Sequence, residues 1–284
     1  MKIAFSTVCC PELSVEDAIA SAARWGFQGL EMRLAPHSDT STGFACDPMA
    51  IGAQQLHDLF EDAGVDPVGL ATGITYDKQV WPPVLGRLFQ SEEIGVPETK
   101  AAVEHAAGAG IPFVRVFGER LSAGEPAAWG WRRICERLAL GSQTARNTST
   151  RVLIENSGSF ARAADLKQLH DMVGRPHLAM SYSVLSAARE GECPMDAIES
   201  ILPGTEIIRI GDIAEDGRPV PLGEGTLPIE AFVGRLNELG YRGWIVYEYP
   251  RLWRSDLMDA EAVLPRVAEM LYAWVGRARA TAGV

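Results

Sequence analysis

Pro228-Ile-Glu-Ala-Phe-Val-Gly-Arg-Leu-Asn-Glu-Leu239, Gly240 and Trp244-Ile-Val-Tyr-Glu248 form one unit of the chain: an amphipathic helix, a glycine stop and a short apolar strand that ends on a carboxylate. Apolar residues fall three and four apart in the first part, which is one face of a helix. The strand that follows is too short to be anything but one layer of a sheet.

The same unit recurs on either side. Ser14-Val-Glu-Asp17 resembles a capping box with Asp in place of Glu; its helix runs to Trp25, and Gly29–Leu34 follows as a strand. Helical stretches from Gln54 to Ala63, Glu98 to Gly108, Trp131 to Arg146, Ala163 to Val173 and Met195 to Leu202 lead to strands at Pro67–Ala71, Pro112–Phe117, Val152–Glu155, Leu178–Ser183 and Ile207–Ile210. With Lys2–Thr7 in front and a last helix near Ala260–Arg277, the count closes at eight of each. Strictly alternating strands and helices imply parallel β-α-β units, and eight of them in one chain predict a single-domain (β/α)8 barrel over residues 1–284. An open doubly wound sheet is the alternative, but Ser6-Thr-Val-Cys-Cys-Pro11 after the first strand is not a glycine-rich phosphate loop.

Composition narrows the partners. A formal net charge of −11 disfavours nucleic acid, because phosphate binding needs a basic surface. The five Cys (Cys9, Cys10, Cys46, Cys135 and Cys193) show no CxxC pair and are odd in number, which suits a reducing cytoplasm. No window is apolar enough to span a membrane, and no signal peptide is apparent. A small-molecule substrate is the expected partner, and a homodimer is left open.

Side chains alternate along a strand. If Leu30, Met32 and Leu34 meet the helices, Glu31 and Arg33 point into the barrel. The same alternation puts Arg115, Glu155, Ser181, Ser183, Arg209 and Glu248 inside. Three acids and three arginines would then share the interior, either as a structural ion-pair network or as a site. Glu155 and Glu248 end their strands, where this architecture places chemistry. His37 follows strand two and is a candidate for the pocket mouth, whereas His57, His105, His170 and His177 fall in helices or at the amino end of a strand. Tyr76, Trp81, Trp129, Trp131 and Trp253 fall in predicted active-face loops, where they either pack the loops against the barrel or form an apolar lid, with Trp81 a substrate contact. Cys9 and Cys10 end strand one, but no His partner for a thiolate is evident.

Val152-Leu-Ile-Glu-Asn156, Ile207-Ile-Arg-Ile-Gly-Asp212, Pro221-Leu-Gly-Glu-Gly225 and Leu239–Glu248, in this order, resemble the xylose isomerase-like barrels. That superfamily includes sugar phosphate isomerases and epimerases, inosose dehydratases and a DNA-repair endonuclease branch. The resemblance implies an enzyme acting on a small polyol, keto-sugar or hydroxy acid, usually with a divalent metal such as Mn or Mg. It also implies a ligand set of Glu, Asp, His and Glu from strands five to eight. Glu155 matches the first ligand and Glu248 the last, but the Asp position falls on Ser183 and the His of the usual His-x-x-Asp on Arg209, while Asp212 is kept. A further His falls on Ser186.

Arg has no lone pair to give a metal and stays protonated. The family's three carboxylates, neutral His and 2+ ion carry one net negative charge; Glu155, Ser183, Arg209 and Glu248 carry the same without an ion. The expectation is therefore a site with no metal or other cofactor, with Glu155 and Glu248 as acid and base, Arg209 stabilising a developing oxyanion, and Arg115, Arg33 and Ser183 binding substrate. The reaction expected is isomerisation, epimerisation or a related proton transfer. A specialised cyclase, lyase or hydrolase on the same barrel, or a non-catalytic binding barrel, are the alternatives.

Overall fold

The computed structural model describes residues 1–35, 44–78 and 93–281. Its framework is a closed parallel barrel. In chain order the barrel strands are β1 (Lys2–Ser6), β2 (Gly29–Arg33), β3 (Asp66–Thr75), β4 (Phe113–Phe117), β5 (Arg151–Glu155), β6 (Leu178–Ser183), β7 (Thr205–Ile210) and, after a short antiparallel hairpin β8 (Asp212–Ile213) and β9 (Pro219–Val220), β10 (Trp244–Tyr247). Each pairs with its neighbours in sequence order, and β10 closes the ring on β1. Around it lie α1 (Val15–Arg24), α2 (Ala53–Ala63), α3 (Val96–Gly108), α4 (Ala127–Gln143), α5 (Ala163–Val173), α6 (Val184–Arg189), α7 (Pro194–Ile201), α8 (Ile229–Glu238) and α9 (Ala260–Thr281).

Local chemistry sets these boundaries. Ser14 caps α1 by accepting the Asp17 N–H at 3.0 Å and donating its hydroxyl to the Asp17 carboxylate at 2.9 Å. Gly29 starts β2 where the barrel leaves no room: a Cβ there would sit 2.6 Å from Val68 and 2.7 Å from the Trp244 ring.

Two findings differ from the sequence expectation. The fourth helix begins at Ala127, with Pro126 as its N-cap, not at Trp131. Trp129 and Trp131 therefore ride on a helix: Trp129 is exposed, and Trp131 packs edge-on against Phe160. Tyr76 is fully buried, its hydroxyl 2.6 Å from Thr99 Oγ1. These three do not form a lid. In addition, α6 follows β6 directly, capped by Ser183, whose hydroxyl accepts the Ser186 N–H at 3.2 Å.

The core has two parts. Leu30, Met32 and the other outward strand residues pack against the helices. Inside the ring, Ala4, Val68, Leu153, Ala179, Ile207 and Val246 form a separate apolar plug, with Phe113 and Trp244 against it. Alternation then places the next inward residues of the same strands, two positions on, above this plug.

Candidate active site

That next layer is charged. Glu31, Arg33, Arg115, Glu155, Ser181, Ser183 and Arg209 are all buried. Their placement follows from register: Glu155 pairs with Ser181, Ser183 with Arg209, and Arg209 with Val246. Arg33 and Arg115 flank Ala71 of β3 in one row.

Arg209 is the centre of the layer. Its Nη2 pairs with Glu31, its Nε lies 2.5 Å from Glu155 Oε2 as an ion contact off the ideal hydrogen-bond angle, and its Nη1 donates to Glu248 Oε2 at 2.8 Å. Burial works against the charged guanidinium, but Glu155, Glu31 and Glu248 outweigh it and hold Arg209 more firmly protonated than usual. Glu155 has a second cation, Arg115 Nη1 at 3.1 Å, and accepts the Ser181 hydroxyl at 2.8 Å. Burial alone would raise its carboxyl; Arg115, Arg209 and the Ser181 bond reverse that and hold it below the usual range. Glu31 goes the other way, because burial outweighs the attraction of Arg209 and Arg115. The layer thus shifts two of its acids in opposite directions.

Above the layer opens a cavity of about 490 Å³, lined among the described residues by Arg33, Arg115, Glu155, Ser183 and Glu248 from strand ends, with Arg189, Trp253 and Arg254 toward the rim. Five of the eight candidate residues thus meet at one opening. Arg209 does not line it: at 2 % exposure, and with all three nitrogens facing carboxylates, it lies beneath the glutamates. The expectation that Arg209 meets a developing oxyanion itself is corrected; it acts on Glu155 and Glu248 from below. His37 and Trp81 lie outside the described residues. Glu248 stands one residue past β10 and is the most open of the three acids, its side chain 22 % exposed.

Arg115 donates Nη2 to Thr72 O at 3.1 Å and lies over the Phe117 ring, 4.7 Å from its centre. Arg33 donates Nη1 to Ala71 O at 2.9 Å. Burial and the neighbouring Arg115 push its pKa down to about 10, against the weaker pull of Glu248 and Glu31. Cys9 and Cys10 are buried, and burial pushes both thiols up, away from nucleophilic character. Arg189 and Leu185 were not legible as cavity residues in the sequence; Ser183 as an N-cap before the apolar Val184-Leu185 was the available signal.

Asp212, retained from the family motif, is not at the cavity. Its Oδ2 accepts the Gly223 and Gly225 N–H groups at 3.0 Å each, and its Oδ1 accepts those of Ile213 and Leu227 at 3.0 and 3.3 Å. It ties down the loop before α8. Gly225 is required there, since a Cβ would lie 2.1 Å from Asp212 Oδ1.

A divalent ion does not fit this donor set. The oxygens such an ion would need already face a cationic side chain that offers no lone pair. Among the described residues, no group of three or more His, Cys, Asp or Glu side chains is placed to hold one. No helix among them is long and apolar enough to cross a membrane.

The xylose isomerase-like TIM barrel family matches residues 19–274, and the chain belongs to that family. A Streptomyces coelicolor protein provisionally named hydroxypyruvate isomerase is 26% identical over 253 residues, covering 84% of this chain and 86% of that protein. An L-ribulose 3-epimerase structure superposes with a TM-score of 0.79 at 18% identity, over 99% of this chain and 96% of that one. The structure of IolI, a protein solved with a bound zinc atom, gives a TM-score of 0.77 at 14% identity, over 98% and 99%. The two structural likenesses show the shared fold.

Proposed function

We propose that the protein is an isomerase- or epimerase-like enzyme that moves a proton on a small polar carbonyl or hydroxy substrate, without the divalent metal usual in its family. The observation that carries this reading is the Arg209 guanidinium held by Glu31, Glu155 and Glu248 directly under the cavity. The relative named hydroxypyruvate isomerase and the epimerase of like fold support the reaction class.

In this mechanism the substrate lies over Glu155 and Glu248. Glu155 is ionised and takes the proton from the substrate carbon; Glu248, the more open of the two, delivers to the substrate a proton loaded from solvent, and both acids re-equilibrate with water when the cavity opens before the next turnover. A carboxylate as stabilised as Glu155 is a weak base, so the C–H it attacks must be acidified by a neighbouring carbonyl. Arg115 supplies that polarisation: each of its Nη atoms has one N–H beyond those given to Glu155 and Thr72, and it lines the cavity. Arg209 sets the geometry and charge of both acids, and Ser183 offers a hydroxyl at the wall.

The test is deuterium uptake, followed by NMR, across a panel of three- to six-carbon keto and hydroxy compounds, before and after exhaustive chelation. Uptake that survives chelation and disappears in Glu248→Gln supports the proposal. Uptake that vanishes on chelation and returns with Mn2+ refutes the metal-free mechanism.

A further inference from the structure

Among the described residues the charges around the cavity do not balance, and the buried part of the imbalance lies at Arg33. Arg209 is committed to three glutamates and Arg115 to Glu155. Arg254 at the rim pairs with Asp256. Arg33 has no carboxylate within salt-bridge distance among the described residues, its Nε is buried without a hydrogen-bond partner, and its side-chain bond to Ala71 O uses one of five N–H donors. It is more than nine-tenths buried and forms part of the cavity wall. Leaving a buried cation uncompensated is costly, so such a group is conspicuous unless something joins it. Of the described side chains lining the cavity, Arg33, Arg115 and Arg189 face Glu155 and Glu248 once Arg254 is set against Asp256, which leaves one positive charge among them on a chain whose net charge is −11.

We infer that Arg33 is the anchor for a monoanionic substrate carboxylate, so that the cavity selects small hydroxy- or keto-monocarboxylates over neutral sugars of the same size. A planar guanidinium with free N–H groups matches a carboxylate in a two-point fork, and a single surplus charge matches a monoanion better than a phosphate dianion. Anchoring at Arg33 places the other end of a three-carbon acid toward Arg115 and the two strand-end glutamates. The inference rests on the proton-transfer reading only in putting the ligand in the same cavity; binding alone tests it.

Glycerate and glycerol differ at one carbon, carboxylate against hydroxymethyl. Calorimetric titration of the whole protein with each, and with inorganic phosphate, gives the comparison. The expected result is glycerate binding about ten- to a hundredfold tighter than glycerol, the range of charge-assisted hydrogen bonds. Arg33→Met should erase that preference, Arg33→Lys should keep part of it, and Arg189→Gln should lower it only a few-fold. Equal binding of glycerate and glycerol by the native protein overturns the inference, and needs no variant to fold. So does phosphate binding tighter than glycerate, or a preference that survives in a folded Arg33→Met. If carboxylates bind through Arg33 yet no keto or hydroxy compound of the panel exchanges deuterium, the proton-transfer reading fails and this one stands.

Discussion

Replacing Arg209 with Met removes the only cation that Glu31 pairs with among the described residues. The cost divides unequally among the three acids. Glu248 is open enough for water to solvate it, and Glu155 keeps Arg115 and Ser181. Glu31, 1 % exposed, keeps nothing of comparable strength. Removing one partner of a buried ion pair costs about 3–5 kcal/mol, because the other charge stays behind. Domains of ordinary stability have about 5–15 kcal/mol in hand, so the variant should fold, weakly.

The loss must also depend on pH. Without Arg209 the folded-state pKa of Glu31 moves further up. An acid whose folded-state pKa is raised destabilises the fold where it must ionise and stops doing so as pH falls through that value. The deficit should therefore be largest near about pH 8 and shrink toward about pH 5. Adding Glu31→Gln should recover most of it, since a neutral amide does not need the guanidinium. Urea unfolding followed by circular dichroism at both pH values measures all of this. A single variant that loses less than about 1 kcal/mol, or a double variant no more stable than the single, contradicts the assignment of Arg209 as the charge that holds this layer together.

Three further outcomes are expected. Ser181→Ala removes the hydroxyl that Glu155 accepts at 2.8 Å and should cost about 1 kcal/mol in denaturant unfolding, with kcat more affected than KM. Glu155 has a folded-state carboxyl held down, so its stabilisation is present above the ordinary carboxylate range and is lost as pH falls through its lower folded value; Arg115→Met should flatten that acid limb in a pH–stability curve. Asp212→Ala strands four loop N–H groups and should lower thermal stability by about 1–3 kcal/mol while glycerate binding is unchanged; a loss of binding larger than the loss of stability would place Asp212 nearer the chemistry than its contacts do.

The barrel was legible because its two periods are strict. Alternation along β2, β5 and β7 alone puts Glu31, Arg33, Glu155 and Arg209 inside, and the structure agrees. Which of them meet was not legible. The pairing of Arg209 with Glu31 joins β7 to β2 across the barrel, and its contact with Glu248 crosses to the neighbouring strand's end; alternation assigns a face, not a partner. The same limit hid the depth of Arg209, since inward-facing does not separate a wall residue from one sealed below it. The tryptophans misled for a local reason. Trp129 follows Gly124-Glu125-Pro126, which reads as loop, but Pro126 caps α4 one residue ahead of Ala127 and carries Trp129 onto the helix with Trp131. Asp212 matched a family motif while its carboxylate was engaged by four backbone amides, which only the folded loop reveals.

The apolar plug of Ala4, Val68, Leu153, Ala179, Ile207 and Val246 has a consequence for traffic through the barrel. It supplies no polar stepping stones, so protons and counter-ions reach the ionised tier from one side only. Whatever seats itself over Glu155 and Glu248 therefore lies across the path by which solvent protons reach them.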